Sequence, residues 1–309
     1  MLQLVDRVYP EFHLHTQATG RWSTVRPPLA QLPSDLRDII KPDLGTVWIG
    51  HDWDQIELRL QAGLANDRPL LEAFENAWDI HTLNCCDIFG YQYPPQRNDP
   101  HGSAECAAWR STLGWRGKED DRRVFSKRYV YRLIYRGNPK FAGDIPGART
   151  LGLDGPKLVK ASQNWLLPHH AIVAYWARVD QQVKDHGYTQ TWAGRKRRYM
   201  SIGPTRAIPN SVFREAANFP MQGGVADIMN LAVIEICERL PFVNLVYTMH
   251  DSMWMECPVE REDEAWPVYQ EVVQQARNIN GVLVPFPGSF KRIREDGVEE
   301  KVKECQKIR

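Results

Sequence analysis

No apolar run in the 309 residues approaches the roughly 20 that a membrane-spanning helix needs. The N-terminal MLQLVDRVYPEF lacks the basic-then-apolar order of a secretory leader. The six cysteines (Cys85, Cys86, Cys106, Cys237, Cys257, Cys305) contain no C-x-x-C pair. That argues against a thiolate zinc site and for reduced thiols in a soluble, cytosolic protein. Neither charge is in excess: 39 Lys+Arg stand against 38 Asp+Glu, a formal net charge of +1. A polyanion partner usually announces itself through surplus Lys and Arg, so the total alone argues against one. A composition 43% apolar and 25% charged excludes wholesale disorder, and no internal repeat or low-complexity segment occurs. The length supports one large domain or two modest ones.

Pro27, Pro28, Pro33 and Pro42 break the first 45 residues into loops and short elements. TVWIGHDWD (46–54) reads as a buried strand of β-branched and aromatic residues ending in acids. Over 56–90, Leu58, Leu64, Leu70, Leu71 and Phe74 recur at helical spacing. Residues 91–120, rich in Pro, Gly and charge, read as a surface insertion. Helices are predicted over 120–136, stopped by Gly137, Asn138 and Pro139, and over 156–186. TWAGRKRRYM reads as a hairpin with a basic turn, and a helix over 213–240 is interrupted at Pro220 and Gly223–Gly224. NLVYTMHDSMWMECPV reads as two strands with a polar bend. A strand, a long helical excursion, a further helix and a hairpin, in that order, indicate an α+β protein whose helices bulge out between sheet segments.

Asp52 ends the first strand and Asp251 sits at the bend of the last hairpin, each among apolar neighbours. Such a pair could hold Mg²⁺, which takes oxygen ligands and only one or two carboxylates plus substrate phosphates. Two unrelated strand-end acids would read the same way, and sequence distance alone cannot bring them together. Arg123, Lys127, Tyr131 and Tyr135 recur every fourth residue on one helical stripe, with Arg128, Arg132 and Arg136 beside them. Over 121–140 there are seven bases (122, 123, 127, 128, 132, 136, 140) and one acid (121). Cations grip phosphates, and an aromatic on the same face can stack on a base or sugar. A merely solvated helix face is the plain alternative, weakened by the missing acids. The 195–198 run of four bases is most simply a solvated turn. Arg214, Asn218 and Gln222, four residues apart, line up donors suited to phosphate or minor-groove contacts.

In this order, HDWDQIELRLQAGLANDRPLLEAF (51–74), DRRVFSKRYVYRLIY (121–135) and YTMHDSMWME (247–256) resemble motif A, the motif B helix and the motif C hairpin of the family A, DNA polymerase I type, DNA polymerases. ATGRWST (18–24), DIHT (79–82), GRKRRY (194–199) and FREAANFPMQGGVADI (213–228) also fall in family order. The resemblance runs over about residues 12–295. It implies the right-hand α+β architecture: an antiparallel-sheet palm from 1–64 and 188–309, with the motif C hairpin at 243–257, and helical fingers from 65–187, with the motif B helix at 120–136. It further implies template-directed DNA synthesis with two Mg²⁺ ions held by Asp52, Asp251 and the Trp53 carbonyl. Gln55, Glu57, His81, Arg123, Lys127, Tyr131 and Tyr135 would meet the incoming dNTP. Within that set Lys127 would protonate pyrophosphate, and Glu57 would crowd a ribose 2′-hydroxyl. Arg21, Arg195, Arg197, Arg214, Asn218, Gln222 and His250 would contact primer-template DNA.

Three departures accompany the resemblance. Ser252 stands where family members commonly carry Glu. Tyr131 stands where many bacterial members have Phe, which in this family implies tolerance of dideoxynucleotides. The chain begins just upstream of ATGRWST, so neither the thumb nor the proofreading exonuclease is expected within it, and a separate subunit is a candidate supplier of either. HDS also resembles single-subunit RNA polymerases, which Glu57 opposes. A non-catalytic nucleic-acid-binding subunit of a polymerase assembly is the other alternative, opposed by the retained acids, because acids facing a phosphate repel it unless metal is present. The expected location is the cytoplasm of a bacterial or phage-infected cell, or its nucleoid. The +1 total averages a basic 121–140 and 195–198 with an acidic flank, 256–264, holding five acids (256, 260, 262, 263, 264) and one base (261). Glu57→Gly is expected to admit ribonucleotides in a primer-extension assay that compares NTPs with dNTPs. Unchanged sugar selectivity would remove the gate from Glu57.

Overall fold

A β-strand shows alternate side chains to opposite faces, and the sheet built around 46–53 uses both. The computed structural model describes residues 8–14, 16–29, 40–199, 207–249 and 251–303. The chain divides into two compact units: 1–56, 222–277 and 285–309 form the first, 57–221 and 278–284 the second.

The first unit contains a short hairpin, β1 (Glu11–His13) with β2 (Ser23–Val25), and a five-stranded sheet. The sheet is assembled from β3 (Thr46–Trp53), β6 (Asn244–Met249), β7 (Ser252–Pro258), β10 (Gly288–Ile293) and β11 (Glu299–Val302). Their order is β11-β10-β3-β7-β6, every pair antiparallel. One face carries Val47, Ile49, His51, Met253, Met255 and Phe290, all buried with Trp266, Tyr269, Val272 and Val273 of α9 (Glu262–Val273). The Trp53 indole N–H donates to the Val273 carbonyl at 2.8 Å. The Tyr269 hydroxyl donates to the Met253 carbonyl at 3.0 Å and lies 2.9 Å from His51 Nδ1. With its proton committed to Met253, Tyr269 accepts from His51, which fixes the imidazole as the Nδ1–H tautomer. Complete burial holds the His51 pKa down at about 3.

Trp48, Gly50, Asp52, Ser252 and Trp254 share the other face. There Trp48, Asp52, Tyr247, Met249, Ser252, Trp254 and Lys291 help line a cavity of about 290 Å³. Two glycines allow the close packing. A Cβ on Gly50 would lie 2.5 Å from the Trp254 ring, and one on Gly288 would lie 2.5 Å from the Asp52 carbonyl oxygen. The acidic run after β7 is partly internal. Glu262 is buried and receives Trp266 Nε1 at 3.1 Å, Arg292 at 3.2 Å and Arg294 at 2.7 Å.

The second unit is mainly helical: α1 (Ile56–Ala65), whose first residue belongs to the first unit, α2 (Arg68–Glu75), α3 (Ile80–Phe89), α4 (Ala107–Leu113), α5 (Asp121–Ile134), α6 (Gly155–Leu166) and α7 (His170–His186). It adds the hairpin β4 (Tyr188–Gln190) with β5 (Lys196–Arg198) and residues up to 221 of α8 (Asn210–Arg239). Most of a third hairpin, β8 (Arg277–Ile279) with β9 (Val282–Val284), completes it. The helical periodicity over 56–90 is cut into three helices by Asp67 and Asp79, whose carboxylates accept backbone N–H groups at the starts of α2 and α3.

Four expectations are corrected. The helix predicted over 156–186 is two, one ending at Leu166 and the next starting at His170; Pro168 between them has no N–H to continue the helical ladder. The helix predicted to be interrupted at Pro220 is continuous as α8; Ala216, Ala217, Met221 and Val225 are buried around it, and that packing outweighs one missing N–H. Three of the four bases of the basic run, Lys196, Arg197 and Arg198, lie on strand β5 rather than in the turn. Residues 188–221, expected with the sheet, belong to the helical unit: the Tyr199 N–H donates to the Gly187 carbonyl at 2.8 Å, and Arg197 pairs with Glu215 of α8.

Gly288→Ala should destabilise the first unit by about 1–3 kcal/mol, the range of an overpacked core, and lower Tm on the order of 5 °C. A melting curve indistinguishable from the parent would contradict the close approach to Asp52.

Candidate active site

Candidate residues occupy two clusters, one on each unit. On the first, register does what sequence distance left open. Asp52 of β3 stands directly across from Ser252 of β7, and the Trp53 N–H donates to the Asp251 carbonyl at 3.0 Å. The two acids therefore sit at neighbouring strand ends, Asp52 exposed and Asp251 half-buried. Arg21 approaches Asp251 Oδ1 at 3.6 Å, so a cation already attends this carboxylate. The Ser252 hydroxyl donates to the Met249 carbonyl at 2.8 Å, closing the hairpin turn. Position 252 thus contributes to the turn instead of adding a third carboxylate. Gln55, between the end of β3 and α1, takes a left-handed φ of 54°, a strained conformation for a non-glycine residue. That turn sends the chain into α1, where Glu57 lies buried in the first turn.

The donor set suits a hard cation. Asp52, Asp251 and the main chain at Trp53 offer oxygen alone, and no group of three or more His, Cys, Asp or Glu able to hold a metal occurs among the described residues. Carboxylate and carbonyl oxygens are the ligand type that Mg²⁺ takes, and the thiolate or imidazole ligands typical of structural Zn²⁺ are not part of this set. The described cysteines are free thiols, and burial raises the pKa of Cys85, Cys86, Cys237 and Cys257.

The second cluster surrounds α5. Its missing acids come from elsewhere in the chain. Arg122 binds Asp120 at 2.6 Å, Arg132 binds Asp144 at 3.3 Å and Arg136 binds Asp180 at 2.6 Å, so these bases hold the unit together. Arg123 is gripped by Asp79 at 2.9 Å and 3.1 Å, and its Nε donates to Thr82 Oγ1 at 3.1 Å. Lys127 and Arg128 are exposed, and neither makes an ion pair among the described residues. His81 is buried near them. Burial, then the positive charges of Arg123 and Lys127, lower its pKa to about 4, so it is a neutral imidazole at neutral pH. Asp79 falls to about 2: burial opposes the shift, and the bonds from Arg123 and His101 outweigh it. Tyr131 and Tyr135 are half-buried, and the Tyr135 carbonyl accepts from Asn218 Nδ2 at 3.2 Å.

Arg195 and Arg197 lie over Phe219, at 5.4 Å and 6.0 Å from its centroid. Arg214 is exposed on α8, and Gln222 is half-buried further along it. His250 lies outside the described residues. Sequence reasoning missed Asp79, Thr82, His101 and Trp115, which hold Arg123 or its partner. The DIHT segment was visible as a motif, whereas nothing in the sequence marked His101.

A sequence-family model described as DNA polymerase family A matches residues 1–290. The chain is 26% identical over 292 residues to DNA polymerase I of Caldicellulosiruptor bescii, covering 91% of this chain and 31% of that protein. It is 26% identical over 279 residues to the thermostable DNA polymerase I of Thermus filiformis, covering 87% and 30%. The solved POL domain of Pol1 from M. smegmatis, complexed with DNA primer-template and dNTP, is similar with a TM-score of 0.74 at 23% identity, over 94% of this chain and 48% of that one. That likeness carries the α+β polymerase fold. The chain spans about a third of the length of these curated relatives. Among the described residues no helix is long and apolar enough to cross a membrane.

Because the folded pKa of His81 lies below its ordinary value of 6.5, the unfolded chain takes up a proton that the folded chain refuses. His81 therefore lowers stability as pH falls from about 6.5 towards 4, by about 2 kcal/mol at pH 5. His169, bound to Asp67 at 2.8 Å, has a raised pKa and acts with the opposite sign. Denaturant melts at pH 7.5 and 5.0 should show a smaller loss at pH 5.0 in His81→Leu than in the parent. Equal losses would contradict a buried, neutral His81.

Proposed function

The chain belongs to DNA polymerase family A, and from that membership we propose that it adds deoxynucleotides to a primer 3′ end under the direction of a template. The observation that carries this is the register of β3 against β7, which sets Asp52 across from Ser252 and beside Asp251.

Asp52, Asp251 and the Trp53 carbonyl would hold the metal ions. Two Mg²⁺, when bound, lower the pKa of the attacking hydroxyl and offset charge on the transferring and departing phosphate oxygens. The chain's other groups would position and neutralise, which supplies most of what phosphoryl transfer requires. Arg123 and Lys127 hold the triphosphate. Lys127, exposed and without an ion-pair partner among the described residues, protonates the pyrophosphate as it leaves. His81, neutral at working pH, offers a hydrogen bond instead of a further charge to the β-phosphate. Tyr131, Tyr135 and Gln55 border the base and sugar, and Glu57 crowds position 2′. Primer-template DNA lies along Arg21, Arg195, Arg197, Arg214, Asn218, Gln222 and His250. Arg21 is then shared between DNA and the Asp251 carboxylate that it approaches.

Primer extension by the 309-residue chain with Mg²⁺ and dNTPs tests the proposal. Asp52→Asn and Asp251→Asn should each reduce the rate at least about a hundred-fold, because metal stabilisation of the transition state amounts to several kcal/mol and each 1.36 kcal/mol is ten-fold. Variants that extend primers as fast as the parent would end the metal assignment.

A further inference from the structure

We infer that the segment 91–120, expected as a surface insertion, supplies a positioning residue, His101, that holds Arg123 in the orientation in which it receives the nucleotide's phosphates. The inference rests on the nucleotide-site reading above and extends it to a residue that touches neither metal nor substrate.

The segment is packed, not loose. Trp115 and Cys106 are buried. The Asp79 N–H, at the start of α3, donates to the Arg97 carbonyl at 2.7 Å. Arg110 staples the turn on either side of His101, donating to the Pro100 carbonyl at 3.1 Å and the Ser103 carbonyl at 2.8 Å. The Trp115 indole N–H points at His101 Nδ1 at 3.2 Å, and the two rings lie 14° from parallel. An indole N–H only donates, so His101 Nδ1 accepts and the ring proton sits on Nε2. That proton is donated to Asp79 Oδ2 at 2.8 Å. A one-way chain of donors therefore runs from Trp115 through His101 to Asp79.

Asp79 is saturated. Oδ1 accepts from the His81 and Thr82 N–H groups, each at 3.2 Å, and Oδ2 accepts from Thr82 Oγ1 at 3.0 Å as well as from His101. Arg123 NH2 spans both oxygens at 2.9 Å and 3.1 Å. Its Nε is committed to Thr82, which leaves NH1, whose partner is the Lys118 carbonyl at 3.4 Å, as the edge with capacity for an anion. Side-chain exposures of 13% for Arg123, 14% for Asp79 and 15% for His101 place these bonds in a reduced dielectric, where fixed geometry counts for most. A guanidinium held by a carboxylate that can rotate would sample several directions. His101 shares the second oxygen of that carboxylate with Thr82 Oγ1 and, at 2.8 Å, is the shorter of the two anchors that limit this freedom.

The test is steady-state primer extension by the full chain with dNTP as the varied substrate, comparing the parent with Arg123→Ala, His101→Leu and His101→Gln. Thermal melts confirm that each variant folds. Loss of one charge-assisted bond should raise KM for dNTP about five-fold in His101→Leu, with kcat within about two-fold of the parent. His101→Gln, whose amide can still donate to Asp79, should stay within about two-fold in both constants. An unchanged KM in His101→Leu, or a His101→Gln variant as impaired as His101→Leu, overturns the inference while Arg123→Ala remains defective. If Arg123→Ala itself leaves KM and kcat unchanged, the nucleotide-site reading fails and the inference falls with it.

Discussion

The antiparallel register between β3 and β7 is the constraint on which the rest depends. Side chains alternate strictly along a strand, so a one-residue slip would turn Asp52 under the sheet and bring Trp53 to the face that carries Trp48 and Trp254. The buried side resists such a slip: Val47, Ile49 and His51 pack with α9, and the Trp53 and Tyr269 hydrogen bonds hold the layers in place. Gly288 and Gly50 admit the close approaches that a Cβ would block. The positions of the two carboxylates are thus a consequence of core packing on the opposite face.

Charge follows the same logic of distant compensation. Taken alone, α5 is a strongly basic helix. In the fold, Asp120 and Asp144 neutralise two of its arginines, Asp79 orients a third and Asp180 pairs with Arg136 just beyond its end, leaving Lys127 and Arg128 exposed. Part of the acidic flank near 256–264 is also internal, with Glu262 gathering Arg292 and Arg294. A near-neutral total therefore contains both structural ion pairs and a smaller set of cations left for a ligand.

Elements with strong local signals were legible in the sequence. The 46–54 strand, the helix near 120–136 and the 244–258 hairpin all appear, because each combines a clear period with punctuation that a short window reveals. What failed was decided by long-range packing. Pro220 does not interrupt α8 because buried neighbours outweigh its missing N–H, and 188–221 joins the helical unit through contacts with α7 and α8. The stripe containing Arg123 was visible, but the role of each arginine was not, since their partners lie between 2 and 77 positions away. His101 is the extreme case: a histidine in a Pro- and Gly-rich stretch carries no periodic signal, and only the fold shows Trp115 and Asp79 on its two nitrogens.

The central claim is that Asp52 and Asp251 act together as one metal-holding centre. Mn²⁺ is a paramagnetic stand-in for Mg²⁺, and its binding to the full chain can be followed by electron paramagnetic resonance in the presence of primer-template and a non-hydrolysable dNTP. The account predicts saturable Mn²⁺ binding that is lost in Asp52→Asn and lost equally in Asp251→Asn, with no further loss in the double variant. Undiminished binding in either single variant, or losses that simply add in the double, would contradict it.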